Sequence, residues 1–218
     1  MLPLTKTIVL KVDPKAPDQA VIAQAAKAVK DGRLVGFPTE TVYGVAANLL
    51  DRKALDRLYE VKKRFKGKPF TVHISDMKMI RDMGCVVSKK AKALMEKFWP
   101  GPLTIILKSK DGRKIGFRMP ANKVALDLIA ASAVPVVAPS ANISGNKPPT
   151  DAKGVLRELD GTIDILIDSG PTNVGIESTV LDLTVDPPQI LREGAIKKRA
   201  LLKIITLVIC ALPFAIIL

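Results

Sequence analysis

Leu34-Val35-Gly36-Phe37-Pro38-Thr39-Glu40-Thr41-Val42-Tyr43-Gly44 (residues 34–44) joins two kinds of sequence. The first half is a short apolar run, which reads as a buried strand. The second half is a loop that carries hydroxyls to the strand's end, where open α/β sheets place their ligands. Upstream, Pro17-Asp18 opens a helix reaching about Lys30, with Val21, Ala25, Ala28 and Val29 on its apolar side and Asp31-Gly32 as its stop. Downstream, residues 51–63 read as a second helix. A helix, a buried strand and another helix in succession point to an α/β domain.

The same alternation continues. Residues 70–75, 103–107, 114–118 and 135–138 read as strands, and 88–98, 122–132 and 151–159 as helices. Three more strands, 163–167, 179–183 and 189–191, lie close together without helices between the last two. That spacing implies an α/β fold with a large twisted mixed β-sheet and flanking helices rather than a regular doubly wound sheet. Apolar residues make up 48% of the 218 and aromatics 4%, so the core is expected to be aliphatic.

The formal charge of +13 suits polyanionic partners, namely nucleic acid, nucleotide phosphates or acidic lipid; a solvated basic surface is the plain alternative. Cys85 and Cys210 form no CxxC pair, and His73 is the sole histidine, so no zinc site is expected. The start MLPLTKTIVLKVD lacks the apolar run of a signal peptide, which fits a cytoplasmic protein. Residues 1–196 read as one catalytic domain. Residues 197–218 differ: Lys197-Lys198-Arg199 precedes the apolar segment 201–218, which reads as a weak membrane anchor, a packed helix or an artefactual terminus.

Several segments carry polar chemistry at apolar segment ends. Thr39 and Thr41 either orient a small polar ligand or cap a turn. Five cations lie between Lys62 and Lys68, suited to phosphate oxygens or to solvent. In FTVHIS, alternation puts Thr71 and His73 on one face and Val72 and Ile74 on the other. Arg118 ends a strand, where a carboxylate ligand or a surface ion pair would suit it. Ser140 and Asn142 lie in a small-residue loop after another buried strand, and Ser178 begins a strand. A P-loop pattern is absent, as is any Ser-His-Asp set.

Taken together, FPTETVYG (37–44), Lys62-x-Arg64, KPFTVHI (68–74), FWPGPLT (98–104), RMP (118–120), APSANISG (138–145), GIESTV (175–180) and LREG (191–194) resemble the YrdC-like family of threonylcarbamoyl-AMP synthases. The resemblance runs in family order over residues 20–196 and matches the short, single-domain form. It implies a YrdC-like fold with a basic concave groove. It implies a reaction of L-threonine, bicarbonate and ATP, with Mg2+ carried by the ATP, giving threonylcarbamoyl-AMP and pyrophosphate for t6A at position 37 of tRNA. Thr39, His73, Arg118, Ala138 and Ser178 would line the threonine pocket. Lys62, Arg64, Lys68, Ser140, Asn142, Pro148 and Arg192 would line the ATP side, with Lys114 a weaker contact through its backbone. Lys62, Arg64, Ser140 and Asn142 would be the residues needed for turnover. Phe65 and Pro148 depart from common family residues. Partners would include double-stranded RNA or tRNA and downstream tRNA threonylcarbamoyl transferase proteins. An RNA-binding module, an inactive paralogue, and a carbamoyltransferase of hydrogenase maturation are the competing readings; the last is longer and rich in cysteine.

Overall fold

The computed structural model describes residues 6–210. In chain order the elements are β1 (Ile8–Lys11), α1 (Gln19–Lys30), β2 (Val35–Phe37), β3 (Gly44–Asn48), α2 (Arg52–Val61), β4 (Val72–His73), α3 (Lys78–Asp82), α4 (Lys89–Phe98), β5 (Leu103–Lys108), β6 (Lys114–Arg118), α5 (Lys123–Ser132), β7 (Val136–Val137), α6 (Ala152–Leu159), β8 (Ile165–Asp168), β9 (Thr179–Asp182), β10 (Gln189–Arg192) and α7 (Lys198–Cys210). Local chemistry sets many helix starts. Asp18, Asp51, Ser88, Asn122 and Asp151 each accept a backbone N–H of the first helical turn.

The described strands form one ten-stranded sheet in the order β1-β8-β2-β3-β7-β4-β6-β5-β9-β10. Pairing is mixed: β1/β8, β2/β8, β4/β6 and β5/β9 are parallel, and the remaining neighbours are antiparallel. One strand runs counter to local signals. β3, Gly-Val-Ala-Ala-Asn, has little intrinsic strand preference, yet it is wholly buried between β2 and β7; burial there outweighs propensity. β1 is a sheet-edge strand with Ile8 and Val9 exposed.

Two aliphatic clusters cover opposite faces. One packs α2, α3, α4, α6 and α7 against Val72, Ile105, Phe117 and Leu181. The other packs α1 and α5 against Val35, Phe37, Ala46, Val136 and Ala138. This second layer covers only the β1-to-β7 half. Over β4, β6, β5 and β9 the same face is bare, and it becomes the floor of a groove.

The described part of the tail is the helix α7. In α7, Leu201 and Ile205 are buried in the core while Leu202, Lys203, Thr206 and Leu207 face outward. The i, i+4 spacing gives α7 one inward stripe, which lies against α4. No helix among the described residues is long and apolar enough to cross a membrane. Residues 211–218, the rest of the apolar segment, lie outside the described residues.

Candidate active site

The bare face holds a cavity of about 530 Å3. Strand alternation supplies its floor: Thr71 and His73 from β4 and the residue before it, Gly116 and Arg118 from β6, Thr104 and Ile106 from β5, Val180 and Asp182 from β9. Their chain neighbours Val72, Phe117, Ile105 and Leu181 point into the opposite core. A strand covered on one face only must be apolar on that face, and the other is free to carry chemistry.

Four of the residues expected around threonine meet in this cavity: His73, Arg118, Ala138 and Ser178. Arg118 is buried, with Nη2 donating to Thr41 Oγ1 at 2.7 Å and lying 2.9 Å from Glu40 Oε1. The Glu40 contact is a buried charge pair, and the Glu40 oxygens have no other polar partner among the described residues. Burial weakens the proton affinity of Arg118, and Glu40 opposes that effect. His73 is pushed down to about 3 by burial and then by Arg118, so its imidazole is neutral near pH 7. The ring meets Phe37 edge-on at 6.3 Å. Thr39 stands apart from the cavity. Its hydroxyl donates to Val42 O at 2.7 Å and lies 2.9 Å from Thr41 Oγ1. Thr39 thus braces the Thr41 hydroxyl that holds Arg118. The PTET hydroxyls combine both roles, turn capping and site orientation.

On the expected ATP side, Arg64, Lys114, Ser140 and Arg192 line the cavity. Lys62, Lys68, Asn142 and Pro148 do not. Lys62 is the C-cap of α2, and Lys63 at φ 47° turns the chain so that successive cations point apart. The Lys62 ammonium is buried and donates to Ser140 O and, at 2.7 Å, to Asn142 O, while its own carbonyl accepts from Ser144 N at 2.8 Å. Lys62 therefore clamps the loop that presents Ser140. Burial and the nearby Arg64 charge lower Lys62 to about 8. Asn142 turns its amide to Ile143 O and Asn146 O, at 2.9 and 2.8 Å, holding the same loop from within. Lys68 is exposed and contributes its carbonyl to Arg64 Nε at 3.1 Å. Arg64 also donates to Pro69 O at 3.2 Å and lies over the Phe70 ring at 5.2 Å, with Phe70 stacked on Tyr59 at 4.3 Å. The guanidinium is thereby fixed on carbonyls and a ring, without a carboxylate partner among the described residues. Lys114 Nζ pairs with Asp182 Oδ2 at 3.1 Å, and both residues line the cavity. Arg192 donates through Nε and Nη2 to Ser178 O at 3.1 and 2.9 Å, and its Nη1 meets Glu177 Oε1 at 2.5 Å.

The Sua5/YciO/YrdC family model, described as "Telomere recombination", matches residues 27–194, more than half of the chain. The chain belongs to the Sua5/YciO/YrdC family. A protein of Bacillus subtilis (strain 168) named threonylcarbamoyl-AMP synthase is 44% identical over 187 residues, covering 81% of this chain and 54% of its own length. The crystal structure of Pyrococcus abyssi Sua5 complexed with L-threonine superposes with a TM-score of 0.86 at 39% identity, covering 91% of this chain and 61% of that one. Escherichia coli YciO superposes with a TM-score of 0.78 at 28% identity, covering 86% and 96%. The chain therefore spans little more than half the length of the first two relatives.

For this Sua5/YciO/YrdC domain, sequence reading missed Thr104, Glu177, Asp182 and Glu40 as parts of the site. Two of them carried a signal. Thr104 is the one polar residue inside Leu103–Leu107, and Asp182 shares the parity of Val180 on β9; alternation places both on the floor. Thr104 Oγ1 lies 2.9 Å from Ser178 Oγ. In GIESTV the adjacent hydroxyls divide their work. Ser178 lines the cavity, while Thr179 Oγ1 accepts from Gly194 N and Ile196 N at 2.9 and 3.0 Å. That junction explains the glycine of LREG, because a Cβ at Gly194 would stand 2.2 Å from Glu177 O.

Proposed function

We propose that this domain joins L-threonine, bicarbonate and ATP into threonylcarbamoyl-AMP and pyrophosphate. The observation that carries the reading is the polarity of one continuous floor. Arg118, neutral His73 and the Ser178–Thr104 hydroxyls lie along it with Arg64, Arg192 and Ser140. Arg118 would hold the amino acid's carboxylate, and the hydroxyl pair would meet its side-chain hydroxyl. Carboxylation of the amine gives a carbamate, whose oxygen attacks the α-phosphorus as pyrophosphate leaves. Such transfers depend on placement and charge neutralisation more than on a protein nucleophile. Arg64 and Arg192 would meet the phosphate oxygens, and Ser140 would be presented to them by the loop that Lys62 and Asn142 hold. His73, neutral and buried, would position the substrate by hydrogen bonding. Mg2+ belongs to the substrate as MgATP; the cavity carboxylates Glu177 and Asp182 are both engaged with cations, so the ion would be held chiefly by phosphate oxygens and water.

The mixed anhydride formed would serve a tRNA threonylcarbamoyl transferase acting at adenosine 37, in the cytoplasm. The net charge of +13 would favour tRNA contact, and that contact would weaken steeply with added salt. Labelled bicarbonate tests the chemistry: with ATP and L-threonine, the chain is expected to move label into an adenylate that also contains threonine. Failure to label any adenylate would refute the reading.

A further inference from the structure

An amino-acid ligand brings an ammonium group as well as a carboxylate, and a carboxylate in the cavity is the strongest acceptor it could meet. Two carboxylates line this one. Asp182 is committed, accepting from Lys114 Nζ at 3.1 Å and from the amide and hydroxyl of Thr184 at 2.7 and 2.6 Å. Glu177 accepts a single side-chain hydrogen bond among the described residues, from Arg192 Nη1 at 2.5 Å.

The geometry around that pair is lopsided. Arg192 is anchored without Glu177, because its Nε and Nη2 are fixed on Ser178 O. The Nη1 atom can change partners while the guanidinium stays in place. On the other side, the Glu177 backbone is fixed: its carbonyl accepts from Ala195 N at 2.9 Å, and Gly194 packs against it. The carboxylate sits on a partly exposed arm beyond this fixed pivot, next to Ser178. The charge of Glu177 also reaches Arg118 and Lys62, raising the proton affinity of each against the larger effect of burial. The charge of Glu177 is thus felt at Arg118 on the floor and at Lys62 behind the Ser140 loop.

We propose that Glu177 is an exchangeable carboxylate, paired with Arg192 when no phosphate is bound and turned to the ammonium group of the amino acid once a phosphate oxygen takes Arg192 Nη1. The inference rests on the reading of the cavity as a site for an amino acid and a nucleoside triphosphate. It makes Glu177 a competitor of one ligand and a partner of the other. Binding of the two becomes mutually favourable, because each relieves what the other costs.

Calorimetry on the full chain separates the possibilities, with L-threonine and an ATP analogue carrying a methylene between the α and β phosphorus atoms as probes. In wild type, the analogue is expected to tighten threonine binding. In Glu177→Gln, the analogue is expected to bind about threefold or more tighter, and threonine about tenfold or more weaker, as loss of a hydrogen bond to a charged group implies. Coupling between the two should then largely vanish. Damage to the fold would weaken both ligands together, so opposite signs are the signature. In a variant whose urea unfolding matches wild type, both ligands weakening, or unchanged threonine affinity, would overturn the exchange while leaving the site reading intact. Equal threonine affinity with and without the analogue in wild type would overturn it with no variant needed. A wild-type chain that binds neither ligand would overturn the site reading and the exchange with it.

Discussion

Replacing Lys62 with Met tests whether this lysine acts as a clamp. The change removes two hydrogen bonds to Ser140 O and Asn142 O and leaves both carbonyls without that donor. Leaving a buried acceptor unmet costs about 1–3 kcal/mol, so the pair costs about 2–6 kcal/mol. Against this stands the relief of a buried charge. Lowering Lys62 from 10.5 to about 8 corresponds to about 3 kcal/mol of strain on the charged form. The net change near pH 7.5 therefore lies between a gain of about 1 and a loss of about 3 kcal/mol. The sign of the pH dependence is distinctive. Between about 8 and 10.5 the unfolded lysine holds its proton and the folded one has lost it, so wild-type stability rises with pH in that window. A neutral amine still donates, so the clamp persists there. Tyr43, raised to about 12 by burial, works in the opposite direction only above its ordinary value of 10. Urea unfolding at pH 7.5 and 10 should thus show the destabilisation by Lys62→Met growing by about 2–3 kcal/mol. Hydrogen exchange over residues 140–146 should rise in the ligand-free variant, and turnover should fall about 10²-fold because Ser140 is no longer placed. An unchanged loop exchange rate together with a pH-independent penalty would refute the clamp and return Lys62 to direct phosphate contact.

The single histidine gives an unambiguous magnetic-resonance signal, and with His73 lowered to about 3 it should not titrate between pH 8 and 5; a midpoint near 6.5 would contradict its burial beside Arg118. Because its folded value is depressed, His73 adds stability that is complete above pH 6.5 and fades as pH falls toward 3, so His73→Phe should flatten the acid limb of the unfolding profile. Arg118→Lys loses the fixed fork held by Thr41 and Glu40, and should raise the KM for threonine about tenfold or more with a smaller effect on the KM for ATP; equal effects on both would remove Arg118 from the amino-acid end. A chain ending at Ile196 loses buried Leu201 and Ile205 and should be about 3–6 kcal/mol less stable in urea; undiminished stability would show that α7 contributes nothing to the core.

Much of the fold was legible because local signals and tertiary packing agree. FTVHIS alternates as its two faces require, and the capping residues Asp51, Asn122 and Asp151 stand where the helices begin. The strand β3 was not, because Gly44–Asn48 is strand only by enclosure between β2 and β7. The tail read as uniformly apolar, since Leu202 and Leu207 on its outer side mask the inward stripe of Leu201 and Ile205. At the site, motif positions located the loops but not the direction of each side chain. Lys62 and Arg64 are two residues apart, yet the left-handed turn at Lys63 sends one under the Ser140 loop and the other into the cavity. Thr39 and Asn142 likewise brace loops whose Val42 and Ser140 line the cavity. Such divisions of labour depend on which carbonyls lie within reach, and those come from residues far along the chain.

Pyrophosphate release is the most direct measurement of the central claim. The purified chain is incubated with MgATP and bicarbonate, with and without L-threonine, and with L-valine as the near-isostere lacking the hydroxyl. Release that depends on threonine and falls sharply with valine is the expected result, because a site built to bond a hydroxyl discriminates strongly against its absence. Release that is indifferent to the amino acid, or absent in all three mixtures, would contradict the account.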